Sequence, residues 1–363
     1  MMGLRAKHIK WGWTLSAAVE MALKTVTTRP VEPVMLSQPI PVDQLPTPAL
    51  VLDRPIMDSN IQTMAKHLGR HSKGFRPHSK THKCPEIAKQ QIAAGAVGIC
   101  TAKVSEAAVM ANAGIGSILV TSPISTRDKA QVVNAIATEQ LELLLVVDSI
   151  EGMLAMQAEI DDDKRIGLLL DLDASTGRTG LRDNDLLLRL LDDIQSDSRF
   201  YFAGVQHYAG HVMHVHDFEK RRDKSMRAWE RLADKFELLG QQGMRPEIVT
   251  GGGTGTFDID VTLEYLTDIQ VGSYIFMDEE YRQVGGADSD RFQGFDLALT
   301  VACTAISQPQ PSTITVDGGY KAFASDSVNP VCDALPDVEF RFAGDEHGVL
   351  LLPSADTAPG ENE

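Results

Sequence analysis

Eight times between residues 70 and 280, a short apolar run of strand character alternates with a stretch of helical spacing. The apolar runs lie at 75–78, 97–101, 117–121, 143–148, 166–171, 202–207, 248–250 and 268–272. Helical patterns fall at 85–94, 103–113, 126–137, 149–159, 183–195 and 218–242, with a short one around Leu263. The apolar runs are rich in Val, Ile and Leu and show little polar alternation, as expected of strands covered on both faces. Strands alternating with helices build a parallel sheet, and eight of them close it. The expected fold is α/β, a (β/α)8 TIM barrel. An early strand at 49–53 and a helix at 55–69 precede it, and the last helix of the barrel finds no place after Phe276.

At 363 residues the chain exceeds one such barrel and has room for an addition. Past Tyr281 the pattern changes. Segments 292–307, 312–316 and 338–342 read as strands joined by turns such as Asp317-Gly318-Gly319, with no long helix between them, and the early strand at 49–53 is a candidate to join them. The expected plan is an N-terminal extension and proline-rich linker (1–46), the barrel with the early strand (47–280), an incomplete C-terminal β domain (281–353) and a disordered acidic tail (354–363). Arg5, Lys7 and Lys10 precede an apolar stretch at 11–23, but Glu20 and Lys24 interrupt it and no cleavage site follows. An amphipathic helix or unstructured leader is expected there, not a signal peptide. The formal charge of −16 argues against nucleic acid and anionic membrane surfaces as partners. Four scattered cysteines without a C-x-x-C pair point to a reduced, cytoplasmic protein.

In a barrel of this kind, chemistry sits at the carboxyl ends of the strands. The polar residues gather there: Lys80; Thr101 and Lys103; Ser122; Asp148; Asp171, Asp173 and Arg178; His207, Tyr208 and His211; then 251–254 and 272–274. If 75–80 is a strand, Arg76, His78 and Lys80 share a face. Cations buried together need an anionic partner. A lysine among cations has a lowered pKa and attacks carbonyls more readily. A phosphorylated aldehyde meets both conditions; a basic loop at a domain edge is the plainer reading. In Gly251-Gly252-Gly253-Thr254-Gly255-Thr256, successive N–H groups can converge on an anion. The run lacks the lysine of a P-loop and the spacing of a dinucleotide fingerprint. Its place after the seventh strand suits phosphate, with Gly272 and Ser273 as the other half of the cradle. His207, His211, His214 and His216 read as a surface cluster, with a metal role as the rival.

Five stretches occur together and in order: 76–83 (Arg-Pro-His-Ser-Lys-Thr-His-Lys), 171–180 with its Gly-Arg-Thr-Gly ending, the glycine–threonine turn, Val271-Gly272-Ser273-Tyr274, and 317–322. Over roughly residues 45–350 they resemble the D-threonine aldolase and eukaryotic-type D-serine dehydratase family. These are fold-type III pyridoxal-phosphate enzymes related to alanine racemase, with a barrel and a C-terminal β domain. The resemblance implies that Lys80 forms the Schiff base with pyridoxal 5'-phosphate. It places Arg178 at the pyridine nitrogen and Tyr208 beside the ring, with Gly252, Gly253, Thr254, Gly272 and Ser273 around the phosphate. An arginine there leaves the nitrogen largely unprotonated and the ring a weaker electron sink. On the residues alone, Arg178 could instead pair with Asp171 or Asp173, and Tyr208 could be a core aromatic.

The implied activity is that of a lyase on D-β-hydroxy-amino acids, foremost D-threonine to glycine and acetaldehyde. The alternatives are dehydration of D-serine to pyruvate and ammonia, a non-catalytic pyridoxal-phosphate carrier, and a phosphosugar barrel without cofactor. His82 is the candidate base for the substrate hydroxyl. Family members carry a divalent metal on a histidine and an aspartate or cysteine near the C-terminus. Asp345-Glu346-His347-Gly348 resembles the stretch that precedes those ligands, which would then fall beyond residue 363. The chain is truncated, the metal is lost, or His82 and the His207 cluster substitute; no metal ligand is assigned. A homodimer is expected from the same resemblance.

Overall fold

The computed structural model describes residues 40–335 and 337–353. The chain divides into two units, Met1–Pro46 and Thr47–Glu363. The first has one described element, a 3-10 turn at Val42–Gln44. The expected leader helix and acidic tail lie outside the described residues.

In the second unit, β1 (Ala49–Leu52) leads into α1 (Arg54–Arg70). The Asp53 carboxylate caps that helix by accepting the Ile56 N–H at 3.0 Å, and Pro55 sits in its first turn. Met57, Ile61, Met64 and Leu68 recur on one face of α1 and are buried. The barrel follows: β2 (Gly74–Phe75), α2 (Pro85–Ala93), β3 (Ile99–Thr101), α3 (Val104–Asn112), β4 (Ser117–Val120), α4 (Arg127–Ile136), β5 (Glu142–Val147) and α5 (Ile150–Glu159). It continues with β6 (Ile166–Leu172), α6 (Asn184–Ser196), β7 (Phe200–His207), α7 (Phe218–Glu230), α8 (Ala233–Gln241), β8 (Ile248–Gly251), α9 (Phe257–Asp260), β9 (Asp268–Ile269) and α10 (Glu279–Arg282). All eight strands are parallel, in the order β2-β9-β8-β7-β6-β5-β4-β3. The Cys100 N–H donates to Pro77 O at 2.8 Å and His78 bridges Cys100, which joins the two outermost strands and closes the sheet.

The unbroken apolar runs are explained by where alternate residues go. Ile118, Leu143, Leu145, Leu168 and Leu170 pack outward against the helices. Their neighbours Leu119, Leu144, Val146 and Leu169 fill the barrel interior with Cys100 and Ala203. Both faces of each strand are therefore dry, and truncating one such leucine to alanine costs roughly 2–5 kcal/mol.

The eighth helix, missing after Phe276, is supplied from the front of the chain. Asn60 of α1 donates to Ile275 O at 3.1 Å and Asp296 O at 2.8 Å, so α1 is fastened beside the end of the barrel. The single helix expected at 218–242 is broken at Arg231–Leu232 into α7 and α8.

Beyond the barrel, β10 (Leu299–Ala302), β11 (Ala305–Gln310), β12 (Thr313–Val316), β13 (Glu339–Phe342) and β14 (Gly348–Leu351) are antiparallel. β1 pairs with β10, which ties the early strand to the C-terminal segment and not to the barrel. β14, unforeseen in the sequence, lies between β12 and β13 in a four-stranded sheet over Val316, Phe340 and Leu350.

Candidate active site

The carboxyl ends of β2 to β4 and β6 to β9 surround a cavity of about 370 Å³. Its walls carry Lys80, Arg178, Tyr208, Gly253, Thr254, Gly272 and Ser273. Local folding sets the place of Lys80. Strand-like pairing runs on past Phe75, with the Arg76 N–H donating to Ile269 O at 3.0 Å and the His78 N–H to Val271 O at 2.8 Å, until Ser79–Thr81 coils into a 3-10 turn. The expected strand at 75–80 therefore stops at His78, two residues short of Lys80. Arg76 points into the barrel floor. There its guanidinium donates to Ser117 Oγ at 2.8 Å and stands 3.6 Å from the Asp268 carboxylate. The anion that Arg76 requires comes from the protein itself.

Lys80 exposes its side chain, but into this cavity. Its Nζ lies 5.8 Å from the centre of the Tyr208 ring, and the Arg178 guanidinium lies 5.0 Å from the same ring. Partial desolvation, and then the Arg178 charge, hold the Lys80 ammonium below the ordinary lysine range. Arg178 makes no ion pair among the described residues. The aspartates that might have claimed it are engaged elsewhere. Asp173 pairs with Arg182 and accepts the Thr176 N–H at 3.0 Å, and Asp171 accepts from Gln206 at 2.9 Å. Among the described residues neither cation has a carboxylate partner, and both face one cavity.

His78 also lines the cavity, as a fixed neutral group. Its Nδ1 accepts the Lys80 N–H at 3.3 Å, so Nε2 carries the hydrogen and donates to Thr121 Oγ1 at 3.1 Å. Burial, with Lys80, His82 and Arg178 nearby, pushes its pKa down to about 3. Beneath, Gln206 Nε2 donates to Asp171 Oδ1 and to Thr121 O at 3.1 Å, and Gln270 Nε2 donates to Gln206 Oε1 at 3.1 Å. This floor, with Thr121, Met213 and Tyr281 in the walls, was not legible in the sequence. A polar residue within an apolar strand end, as at Gln206 and Gln270, was the available signal.

At the far end, two 3-10 turns begin side by side, Thr254–Thr256 and Ser273–Ile275. Thr254 Oγ1 accepts the Tyr274 N–H at 3.1 Å and locks them together. The first N–H groups of such turns have no partner within the turn and suit an anion. Gly252 does not line the cavity. It is the left-handed hinge of the turn, with φ of +63°.

His82 is also outside the cavity, because the turn at Ser79–Thr81 rotates it toward α2. Its Nδ1 accepts the Cys84 N–H at 3.0 Å, and burial pushes its pKa down to about 4. His207 is buried, not on the surface; it meets Leu172 O at 3.1 Å and lies 4.9 Å from the Trp229 ring. His214 lies 3.4 Å from Glu280. Among the described residues no group of three or more His, Cys, Asp or Glu side chains converges as metal ligands do. The suggested substitution by His82 and the His207 cluster therefore has no support.

The profile of the alanine racemase N-terminal domain matches residues 52–280, and that of a serine dehydratase domain matches 298–362. The chain belongs to the alanine racemase N-terminal domain family. Within that family, the D-threonine aldolase of Arthrobacter sp is 33% identical over 320 residues, 88% of this chain and 83% of that protein. The 3-hydroxy-D-aspartate aldolase of Paracoccus denitrificans (strain Pd 1222) is 30% identical, over 85% of this chain and 80% of that protein. Among solved structures, the D-threonine aldolase from Filomicrobium marinum superposes with a TM-score of 0.81 at 34% identity, covering 89% of this chain and 87% of that one. The alanine racemase-like barrel with its antiparallel C-terminal strands is thus established, and enzymes of this fold use pyridoxal phosphate.

Proposed function

We propose that the chain is a pyridoxal-phosphate-dependent aldolase that cleaves D-β-hydroxy-amino acids, with D-threonine, giving glycine and acetaldehyde, as its type substrate. The observation that carries this reading is the pair of cations, Lys80 and Arg178, on one Tyr208 ring with no carboxylate partner among the described residues, opposite the paired turns at Thr254 and Ser273. That donor set fits the cofactor: an amine for an aldehyde, a flat ring to lie against, a guanidinium for a ring nitrogen, and hydroxyl and N–H groups for a phosphate. When bound, pyridoxal phosphate supplies the carbonyl that takes the substrate's amine and draws off the electron pair left at Cα.

The remaining steps belong to the chain's own groups. Arg178 stays protonated, and so does not hand a proton to the ring nitrogen. His78 has both ring nitrogens engaged and serves to hold the Lys80 backbone. With His82 turned away, the proton acceptor in the cavity is Lys80 itself. Once the substrate has replaced it, its amine, with its lowered pKa, takes the β-hydroxyl proton. The Cα–Cβ bond then breaks, the aldehyde leaves, and Lys80 returns the proton to Cα. The described residues do not fit a divalent metal, and no step runs through one.

Product analysis tests the reading. Purified protein incubated with the cofactor should release glycine and acetaldehyde in equal amounts from D-threonine, and Lys80→Ala should release neither. Borohydride should fix the cofactor on Lys80, read by peptide mapping. Pyruvate and ammonia from D-serine, with no acetaldehyde from D-threonine, would make the chain a dehydratase instead.

A further inference from the structure

Behind the glycine turn lies a carboxyl group that the steps above do not use. Asp260, the last residue of α9, is fully buried. One oxygen accepts the Ser225 hydroxyl at 2.6 Å, the other accepts the Thr256 hydroxyl at 2.5 Å, and Trp229 adds a third donor. No lysine, arginine or histidine acts on it among the described residues. A Cβ at Gly252 would stand 2.5 Å from Asp260 Oδ2, so the turn's backbone rests directly on the carboxyl. Gly253 and Thr254, on the other side of that backbone, line the cavity.

The charged surroundings are few. Asp258 on the same helix adds a like charge, and Arg221 of α7 acts on Asp258. Tyr265, in the turn that follows, has its phenol pushed up to about 12 by burial and then by Asp260 and Glu230. Ser225 and Trp229 of α7 are neutral. Burial pushes Asp260 up to about 6 against its three donors.

We propose that Asp260 positions the anion-binding turn and couples phosphate binding to the uptake of one proton. This rests on the reading that the turn holds the cofactor's phosphate. A carboxylate one backbone layer behind a bound phosphate repels it, and in a dry interior that repulsion is not screened by water. A protonated Asp260 holds the same turn without the repulsion, so binding draws a proton onto it.

Binding of pyridoxal phosphate and of pyridoxal, which lacks the phosphate, is measured by cofactor absorbance from pH 5 to pH 8.5 for the wild type and Asp260→Asn. At pH 8 the variant should bind pyridoxal phosphate about tenfold more tightly than the wild type, and at pH 5 about equally. For pyridoxal the two proteins should match at every pH. Ser225→Ala keeps the charge and removes one donor, so the pH at which wild-type binding begins to weaken should move upward. It also carries the test if Asp260→Asn does not fold. A pH-independent ratio, weaker binding by Asp260→Asn at pH 8, the same change with pyridoxal, or an unmoved midpoint in Ser225→Ala overturns the coupling. If the wild type binds no pyridoxal phosphate at all, the proposed function falls and the coupling with it; binding without the pH effect removes the coupling alone.

Discussion

Three histidines are folded where a charged imidazole is unwelcome. Burial pushes His78 down to about 3 and His82 and His207 down to about 4. Each is protonated in the unfolded chain below about pH 6.5 but stays neutral in the fold. Stability from these groups is therefore present above pH 6.5 and lost as pH falls toward 4. Asp171 and Asp260, both pushed up to about 6 by burial, work the other way: they take up protons in the fold while the unfolded chain still has them charged. His207→Gln removes one of these histidine protons, so as pH falls from 6 to 4.5 its urea-denaturation stability should drop less steeply than the wild type's, the slopes differing by about 1.4 kcal/mol per pH unit. Parallel slopes would refute a neutral, buried His207. The sequence displays these histidines but not their surroundings. A three-residue coil at Ser79–Thr81 decides that Lys80 enters the cavity and His82 leaves it, and neighbouring letters carry no mark of that turn.

Strand β7 shows the same limit one level up. Its apolar run was legible, and so was its place in the barrel. Its bulge was not: Leu168 pairs with Phe202 but Leu169 with Gly204, so β7 holds one residue more than its neighbour. The extra residue, Ala203, turns into the barrel interior, and the strand beyond it carries Gln206 and Tyr208 to the cavity. Gly204 permits this because any Cβ there would overlap the Ile248 carbonyl oxygen of β8. Gly204→Ala should therefore cost upward of about 2 kcal/mol and weaken cofactor binding, because it spreads the strands that aim those two side chains. Gly240 in α8 has nothing within 4 Å of its Cβ position, and Gly240→Ala should instead stabilise by about 0.5–1 kcal/mol. Chemical denaturation of the two variants checks both signs. Similar losses at the two sites would mean that the bulge sets nothing beyond ordinary strand propensity.

Across the whole molecule, the rhythm of strands and helices marked the barrel, because each strand must be dry on both faces. The C-terminal sheet was harder to read: β14 is four residues long and owes its existence to two partners that meet only in the fold. Charge is a property of the entire chain, and it bears on which substrate is taken. The protein carries a formal charge of −16. D-Threonine is a neutral zwitterion, whereas 3-hydroxy-D-aspartate, the substrate named for one relative, bears a further carboxylate. The cavity walls offer two cations, Lys80 and Arg178, and the proposed cofactor engages both. A second carboxylate would meet an acidic chain on approach and, among the described residues of the cavity wall, no free cation on arrival. At low salt, kcat/KM for D-threonine should exceed that for 3-hydroxy-D-aspartate by about tenfold or more, and the gap should narrow as added salt shortens the screening length from about 30 Å to below 10 Å. D-Threonine turnover itself should be nearly indifferent to salt, having no net charge to screen. A preference for the dicarboxylate that persists at every salt concentration would mean that one of the two cations is free to bind substrate, and would reopen the assignment of Arg178 to the cofactor ring.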